Sequence, residues 1–258
     1  MSIHHLDAFK DVVQPLNGLR NREDVDFFVR RLAALYPLQP HELSAVSGLV
    51  ESTFTVRAHQ IIIDDQHAPS DALVLLQGLA CHYRPVESSR RQLTGFILPG
   101  DFCDYGFLSS SATGQNVMSL TNGLVGRIKL SRLSATAERF PNVLVAAMRA
   151  AALDAASARE LVVSLGARDA VQRLAHLLCE MHYRLQTVGL VRADATFEFA
   201  VTQSEIGEAL GLSTVHVNRT IQQLRRGKLI TMGQGTAKIL DAPGLAALAL
   251  FNPSYLKP

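Results

Sequence analysis

The segment Val201–Arg226, VTQSEIGEALGLSTVHVNRTIQQLRR, constrains the fold of this chain more than any other. Thr202 followed by Glu205 forms a capping box at the start of a short helix. Gly211 allows a tight turn after that helix, and Ser213 caps a second one. The inward faces of the two helices are predicted to hold Ile206, Ala209, Leu210, Leu212, Val217, Ile221 and Leu224. Two short helices joined by a glycine-containing turn are typical of a helix-turn-helix.

The second helix has the composition expected of a helix that lies in a DNA groove. Its region from Ser213 to Lys228 contains no acidic residue and four basic ones, which are Arg219, Arg225, Arg226 and Lys228. A basic run alone is also typical of a solvated helix face, so its meaning depends on the motif that contains it. Lys228–Leu240 then predicts a two-stranded wing, which completes a winged helix-turn-helix.

Particular side chains of this motif are expected to contact DNA. The major groove admits one helix, whose N-terminal outward residues contact base edges. The expected base-reading residues are Thr214, Val215, Asn218 and Arg219. Arg219 can fork onto guanine, Asn218 can pair with adenine, and Val215 can contact a thymine methyl group. Phosphate contacts, which position the protein without reading sequence, are expected from Thr202, Gln203, Ser213 and His216.

An alanine-rich helix is predicted between Pro141 and Gly166. Residues on it recur at alternating spacings of three and four, which predicts a helix–helix seam. The predicted dimer seam consists of Leu144, Ala147, Ala151, Asp154, Ala158 and Leu161. The alternative is an amphipathic helix that lies on its own domain. Arg168–Leu185 is predicted to form a further helix.

The N-terminal half predicts a small β-domain. Short β-rich runs with turn signals between them are typical of a compact antiparallel sandwich or roll. The expected fold class is α+β, with a sensor β-roll in residues 1–140, a dimerisation helix in 141–166 and a winged helix-turn-helix in 167–258. The run Ser109–Ser111 is expected in a loop of the roll.

Composition excludes several other classes of protein. The chain has 258 residues, of which 19% are charged, so it is long enough for a buried core and is not predominantly disordered. No apolar run of ~18 residues and no secretory signal occur, so neither a membrane span nor export is expected. Three widely spaced cysteines (Cys81, Cys103 and Cys179) suit a reducing compartment, and we expect a cytoplasmic protein. No serine elbow, paired carboxylates or HExxH motif occurs, so an enzyme is not expected.

Four blocks of the sequence resemble the Crp/Fnr family of bacterial transcription regulators. These blocks are Leu76–Gly78, Leu98–Phe102, Leu174–Glu180 and Leu212–Thr220. The resemblance covers about residues 25–240 and implies an effector-sensing roll, a long dimerisation helix and a C-terminal winged helix. It further implies a homodimer on a palindromic DNA site, with RNA polymerase as a partner if the protein is an activator. The small-molecule effector is not identified by the resemblance.

The sequence departs from family patterns in its sensor and in its reading helix. Cyclic-nucleotide-binding members hold ribose with a Gly-Glu pair and the phosphate with an arginine, but no Glu or Arg occurs between Gly100 and Gly126. Many members carry a glutamate where this chain has Val215, so the half-site should differ at that base.

No metal or cofactor is expected. Three scattered thiols cannot supply the four ligands of an iron–sulfur cluster. Cys81 and His82 are adjacent on a presumed strand and point to opposite faces, which argues against a shared haem. His176, Cys179 and His182 lie on one helix but cannot all grip one ion.

Two alternatives to a regulator with an unidentified signal stay open. One is a cyclic-nucleotide-dependent regulator, and the other is a ligand-binding module whose winged helix contacts protein.

Overall fold

The computed structural model describes residues 22–65, 70–87, 90–108 and 115–257. It confirms the predicted fold class, with an N-terminal β-roll, a long helix and a C-terminal winged helix-turn-helix. The expected loop Ser109–Ser111 lies outside the described residues. No helix in the described ranges has the length and hydropathy needed to cross a bilayer.

The roll begins with two helices, α1 (Arg22–Leu35) and α2 (Pro40–Ser47). Its strands are β1 (Ser52–Val56), β2 (Ile61–Ile63), β3 (Asp71–Gln77), β4 (Ala80–Glu87), β5 (Arg90–Ile97), β6 (Asn116–Ser119) and β7 (Gly123–Lys129). They form two antiparallel sheets in the orders β1-β7-β3 and β2-β6-β4-β5. The interior is filled by apolar side chains from both sheets, including Val56, Leu75, Ala80, Ile97, Val117 and Val125.

Three helices follow the roll: α3 (Leu130–Arg139), α4 (Pro141–Ala167) and α5 (Ala170–Thr187). The long helix α4 does not end at Gly166 as predicted but continues through it to Ala167. One glycine in a last turn weakens a helix by only about 1 kcal/mol, which is too little to stop it. The chain leaves the helix at Arg168, whose backbone is extended, and Asp169 then caps α5 by accepting from the N–H groups of Val171 and Gln172.

The structure corrects the predicted seam on α4. Ala147 is only 3% exposed and is buried in its own roll, while Leu161 packs against the C-terminal core. Asp154 faces the roll, with its Oδ1 3.7 Å from Nε2 of His82. The exposed apolar stripe lies about one position further around the helix and consists of Leu144, Met148, Ala152, Ala155 and Val162, with Arg159 between the last two. The predicted spacing of three and four is present on α4. Some of the predicted seam residues, however, are packed against the roll or the C-terminal core of the same chain.

The C-terminal part contains the predicted motif and its wing. Its elements are β8 (Thr196–Glu198), α6 (Gln203–Leu210), α7 (Thr214–Arg226), β9 (Ile230–Gly233), β10 (Thr236–Ile239) and α8 (Ala242–Ala249). The predicted wing is confirmed as the antiparallel pair β9–β10, and β8 extends it to a sheet in the order β8-β10-β9.

One hydrophobic core joins the roll to this C-terminal part. The outer face of β4–β6 contributes apolar side chains, including Cys81, Leu93, Phe96 and Met118. Helix α6 packs on β5, and the cluster continues through α5, α6 and α7 with Leu174, Leu178, Ile206, Leu210 and Val217. Because both sets belong to one buried cluster, the winged helix packs directly on the roll.

A buried ion-pair cluster holds three parts of the chain together. Asp101 follows β5 in a turn, and its carboxylate contacts Arg31 Nε of α1 at 2.8 Å and Arg184 Nη2 of α5 at 2.7 Å. It also accepts from the N–H of Leu98, while Arg184 donates to the carbonyl of Phe96. Burial opposes ionisation of Asp101, but the two guanidinium groups and the Leu98 N–H outweigh it and lower the pKa of Asp101.

Asp101→Asn should therefore destabilise the whole chain. The neutral amide would remove the carboxylate that Arg31 and Arg184 share and leave Arg184 with Glu180 at 3.3 Å. Breaking a buried ion pair in this way typically costs about 3–5 kcal/mol. Urea unfolding at pH 7 should show this as a lower midpoint with an unchanged slope. Asp194→Asn, in the exposed pair with Lys238, is the matched control and should leave the midpoint unchanged.

The ion pairs of Asp101 also make the stability of the chain depend on pH. Because the pKa of Asp101 is lower in the folded than in the unfolded chain, its contribution is present above about pH 4 and is lost as the pH falls through the folded value. The stability difference between the native chain and Asp101→Asn should shrink with acidification over that range. A difference that stays constant down to pH 2 would contradict this assignment.

Candidate nucleic-acid interface

Local hydrogen bonds fix the two helices of the motif. The hydroxyl of Thr202 accepts from the N–H of Glu205 at 3.2 Å, and the carboxylate of Glu205 accepts from the N–H of Thr202 at 2.7 Å. Gly211 has a left-handed backbone with φ of 65°, and the hydroxyl of Ser213 accepts from the N–H of His216 at 3.3 Å. The predicted capping box, turn glycine and second cap are all confirmed.

The two faces of α7 differ sharply in burial. Val217, Ile221 and Leu224 are no more than 4% exposed and pack against the core, as predicted. The four predicted base-reading residues, Thr214, Val215, Asn218 and Arg219, are all exposed. Val215 is 63% exposed, which is unusual for a valine and leaves an apolar contact available on a polar surface. The structure therefore brings the four residues together on one accessible surface.

The predicted phosphate-binding residues have additional roles within the protein. The hydroxyls of Thr202 and Ser213 hold the N-termini of α6 and α7, and the Thr202 hydroxyl also donates to Glu205 Oε2 at 2.8 Å. Gln203 accepts a hydrogen bond from Asn218 Nδ2 at 3.4 Å, so it touches a predicted base-reading residue. His216 is exposed beside them. Their contact with phosphate remains a prediction.

The end of α7 is tied to the wing by Arg225. Its guanidinium donates to the carbonyl of Met232 in β9. The sequence counted Arg225 among the basic residues available to DNA, and no sequence signal could show that it binds a wing carbonyl. Arg226 and Lys228 lie nearby and are exposed, so they extend the positive surface beyond Arg219.

The histidines and the cysteine of α5 serve packing. His176 stacks on Tyr255 at 6.1 Å between ring centroids, and His182 contacts the ring of Phe197. Burial lowers the pKa of His176 to about 4, with Arg168 adding to the effect, and burial raises the pKa of Cys179 to about 12. Within residues 22–65, 70–87, 90–108 and 115–257, no three His, Cys, Asp or Glu side chains are grouped so that they could hold a metal ion.

The comparisons with known proteins agree with this geometry. The family model for the Crp-like helix-turn-helix domain matches residues 172–248. The chain is 21% identical over 224 residues to the fumarate and nitrate reduction regulatory protein of Salmonella typhi, covering 87% of this chain and 89% of that protein. It is 28% identical to the transcriptional activatory protein AadR of Rhodopseudomonas palustris, covering 86% of this chain and 90% of AadR. The chain is thus similar to transcription regulators over most of its length, and residues 172–248 match a Crp-like helix-turn-helix domain.

The overall fold is also shared with a solved structure. The structure of FixK2 from Bradyrhizobium japonicum superimposes with a TM-score of 0.67 at 22% identity, covering 76% of this chain and 96% of FixK2. The Crp-like segment runs from α5 through most of α8 and so contains the reading helix and the wing. The similarity therefore supports a DNA-binding transcription regulator.

Gly207 tests how the motif holds its reading helix. A Cβ at this position in α6 would clash with the carbonyl oxygen of Leu212 in the turn. Gly207→Ala should therefore push the turn away from α6, with a cost of about 1–3 kcal/mol from overpacking, and should weaken DNA binding.

Gly166→Ala is the matched control because a Cβ there meets nothing within 4 Å. It lies inside α4 and should stabilise the chain by about 0.5–1 kcal/mol without changing DNA binding. Thermal unfolding and DNA titration of both variants check this, and equal effects would contradict the predicted contact.

Proposed function

We propose that this regulator acts as a homodimer on a two-fold symmetric double-stranded DNA site, under the control of a signal at the roll. The observation that carries the proposal is the exposed N-terminal half of α7, held by caps at its start and by a buried inner face. Thr214, Val215, Asn218 and Arg219 read base edges, while Thr202, Gln203, Ser213 and His216 contact phosphates. RNA polymerase is a further partner if the protein activates transcription.

Arg219 supplies most of the sequence discrimination in this proposal. Its guanidinium can donate two parallel hydrogen bonds to O6 and N7 of guanine, a pair worth about 1–3 kcal/mol against a wrong base. The methyl groups of Val215 favour a thymine, and they reject a cytosine amino group that a glutamate would accept. The basic residues at the end of α7 add affinity without sequence preference.

The exposed stripe on α4 supports the dimer. Leu144, Met148 and Val162 are 40%, 56% and 68% exposed, and they lie on one side of a helix of 27 residues. Small residues between them, Ala152 and Ala155, would let two copies of α4 approach closely. In our proposal, a second copy of the chain covers this stripe. The two reading helices of the dimer then bind DNA half-sites whose centres are about 34 Å apart.

The shared core supports control from the roll. Since α5 and α6 pack directly on β4–β6, a shift of that sheet would move the reading helix. Coupling between two sites in one protein is typically worth about 1–3 kcal/mol. Both buried guanidinium groups of the Asp101 cluster are already paired, and no Glu or Arg lies between Gly100 and Gly126. These features favour a signal other than a cyclic nucleotide.

Selection from a random duplex DNA pool tests the reading surface. The native chain should enrich a palindrome, and Arg219→Ala should lose preference at one base pair of each half-site, by about 1–3 kcal/mol. Arg226→Ala is the matched control, since removal of a phosphate contact weakens all sequences equally and lowers the salt slope by about 1. Unchanged discrimination in Arg219→Ala would refute the assigned role. Weak binding with little salt dependence would favour a protein-contacting winged helix instead.

Charges placed on the α4 stripe test the dimer. Met148→Glu and Val162→Glu would bury a carboxylate between two helices, so each should shift the protein from dimer to monomer in sedimentation equilibrium. Leu240→Glu is the control, because Leu240 is equally apolar and 49% exposed but lies beside the wing. A native chain that sediments as a monomer at micromolar concentration would contradict the homodimer.

A further inference from the structure

The first helix of the motif is bound to the roll by polar contacts along its length. Arg91 Nε of β5 lies 2.7 Å from Oε2 of Glu208 in α6. Gln92 of the same strand donates to the carbonyl of Ala209 at 3.1 Å. At the other end of α6, His59 Nδ1 lies 3.5 Å from Oε1 of Glu205. The roll therefore contacts both ends of α6.

The carbonyls at the end of α6 receive donors from outside the motif. The last carbonyls of a helix have no partners within it, and they need other donors when they are buried. Gln92 of the roll donates to Ala209, and Arg173 Nη1 of α5 donates to Leu210 at 3.0 Å. Arg173 also donates to Leu165 of α4 at 2.7 Å. The direction of α6 is thus set jointly by the roll and by the end of the long helix.

Arg91 is itself held in place before it reaches Glu208. Its Nη1 lies 3.0 Å from the sulfur of Met118 in β6 of the same sheet, and its guanidinium lies 5.8 Å from the centroid of the Tyr83 ring. A guanidinium fixed on a sheet loses little freedom when it binds a carboxylate, so the pair favours one geometry. The Arg91 and Glu208 side chains are 26% and 28% exposed, which limits their effect on overall stability.

We propose that Arg91, Gln92 and Glu208 act as a clamp that fixes the direction of the reading helix on the roll and thereby selects the half-site spacing that the dimer accepts. These are positioning residues, since none of them lies on the reading surface. The inference rests on the proposed homodimer. One added base pair displaces a half-site by about 3.4 Å and rotates it by about 35°. Two reading helices that are fixed on their rolls cannot adapt to the displaced half-site. Reading helices that have lost the Arg91–Glu208 contact can adapt to it.

The test measures binding of the full chain to palindromes that carry the selected half-site at separations varied by one base pair at a time. A duplex with a single half-site is measured in parallel. The variants are Arg91→Gln, Glu208→Gln and the charge exchange Arg91→Glu with Glu208→Arg. Arg127→Gln is the matched control, because Arg127 pairs with Asp71 on the other sheet of the roll. Circular dichroism melting verifies that each variant is folded.

The native chain and Arg127→Gln should bind the best separation at least about fivefold more tightly than its neighbours, the lower bound of typical coupling between sites. Arg91→Gln and Glu208→Gln should bind all separations within about twofold, with unchanged affinity for the single half-site. The charge exchange should restore the preference for one separation. Such a restoration would not follow from a merely structural role of either residue.

Two results overturn the clamp in distinguishable ways. If the native chain prefers one separation and both single variants keep that preference, the clamp is wrong and the proposed homodimer stands. If the native chain binds all separations and the single half-site equally, the symmetric-site proposal fails and the clamp falls with it.

Discussion

The carboxylate of Asp101 is the interaction on which the architecture depends. It lies in one turn of the roll, yet its two partners belong to the first helix and to the helix that leads into the winged domain. Buried charges are costly unless they are paired, so α1, the turn and α5 can bury their charges only in this mutual arrangement. The pairing thereby fixes where α5 crosses the roll. Helix α6 is then positioned by further contacts, such as those of Gln92 with Ala209 and of Arg173 with Leu210.

The shared core joins the roll directly to the helix-turn-helix. Apolar side chains from β4, β5 and β6 and from α5 and α6 belong to one buried cluster, so the roll and the motif share a core. The polar contacts of Arg91 and Gln92 then give the packed helix a direction, which apolar contacts alone do not specify. Thr214, Val215, Asn218 and Arg219 of α7 remain exposed, so the roll does not cover the surface that we propose for DNA.

The sequence predicted the elements whose structure depends on near neighbours. The caps at Thr202 and Ser213 and the turn at Gly211 were predicted correctly, since each depends on groups within four residues. A strand is predicted at Cys81–His82, but the rest of β4 and most of β5 are not, because Arg84, Glu87, Arg90 and Arg91 interrupt the apolar pattern. Those strands form by pairing with β6 and with each other, which is a contact between distant segments. One of these charged residues, Arg91, contacts Glu208 of the helix-turn-helix.

The sequence predicts the helix-turn-helix, its wing, the helical period of α4 and the side chains on the exposed face of α7. These follow from local hydrogen bonds and from apolar spacing along one segment. Only the tertiary structure decided which face of α4 is left exposed, because its own roll covers Ala147 while Met148 remains uncovered. It also decided that Arg225 binds the wing and that Arg91 meets Glu208. Such pairings depend on how distant segments pack, and the spacing of residues within a single segment does not predict that packing.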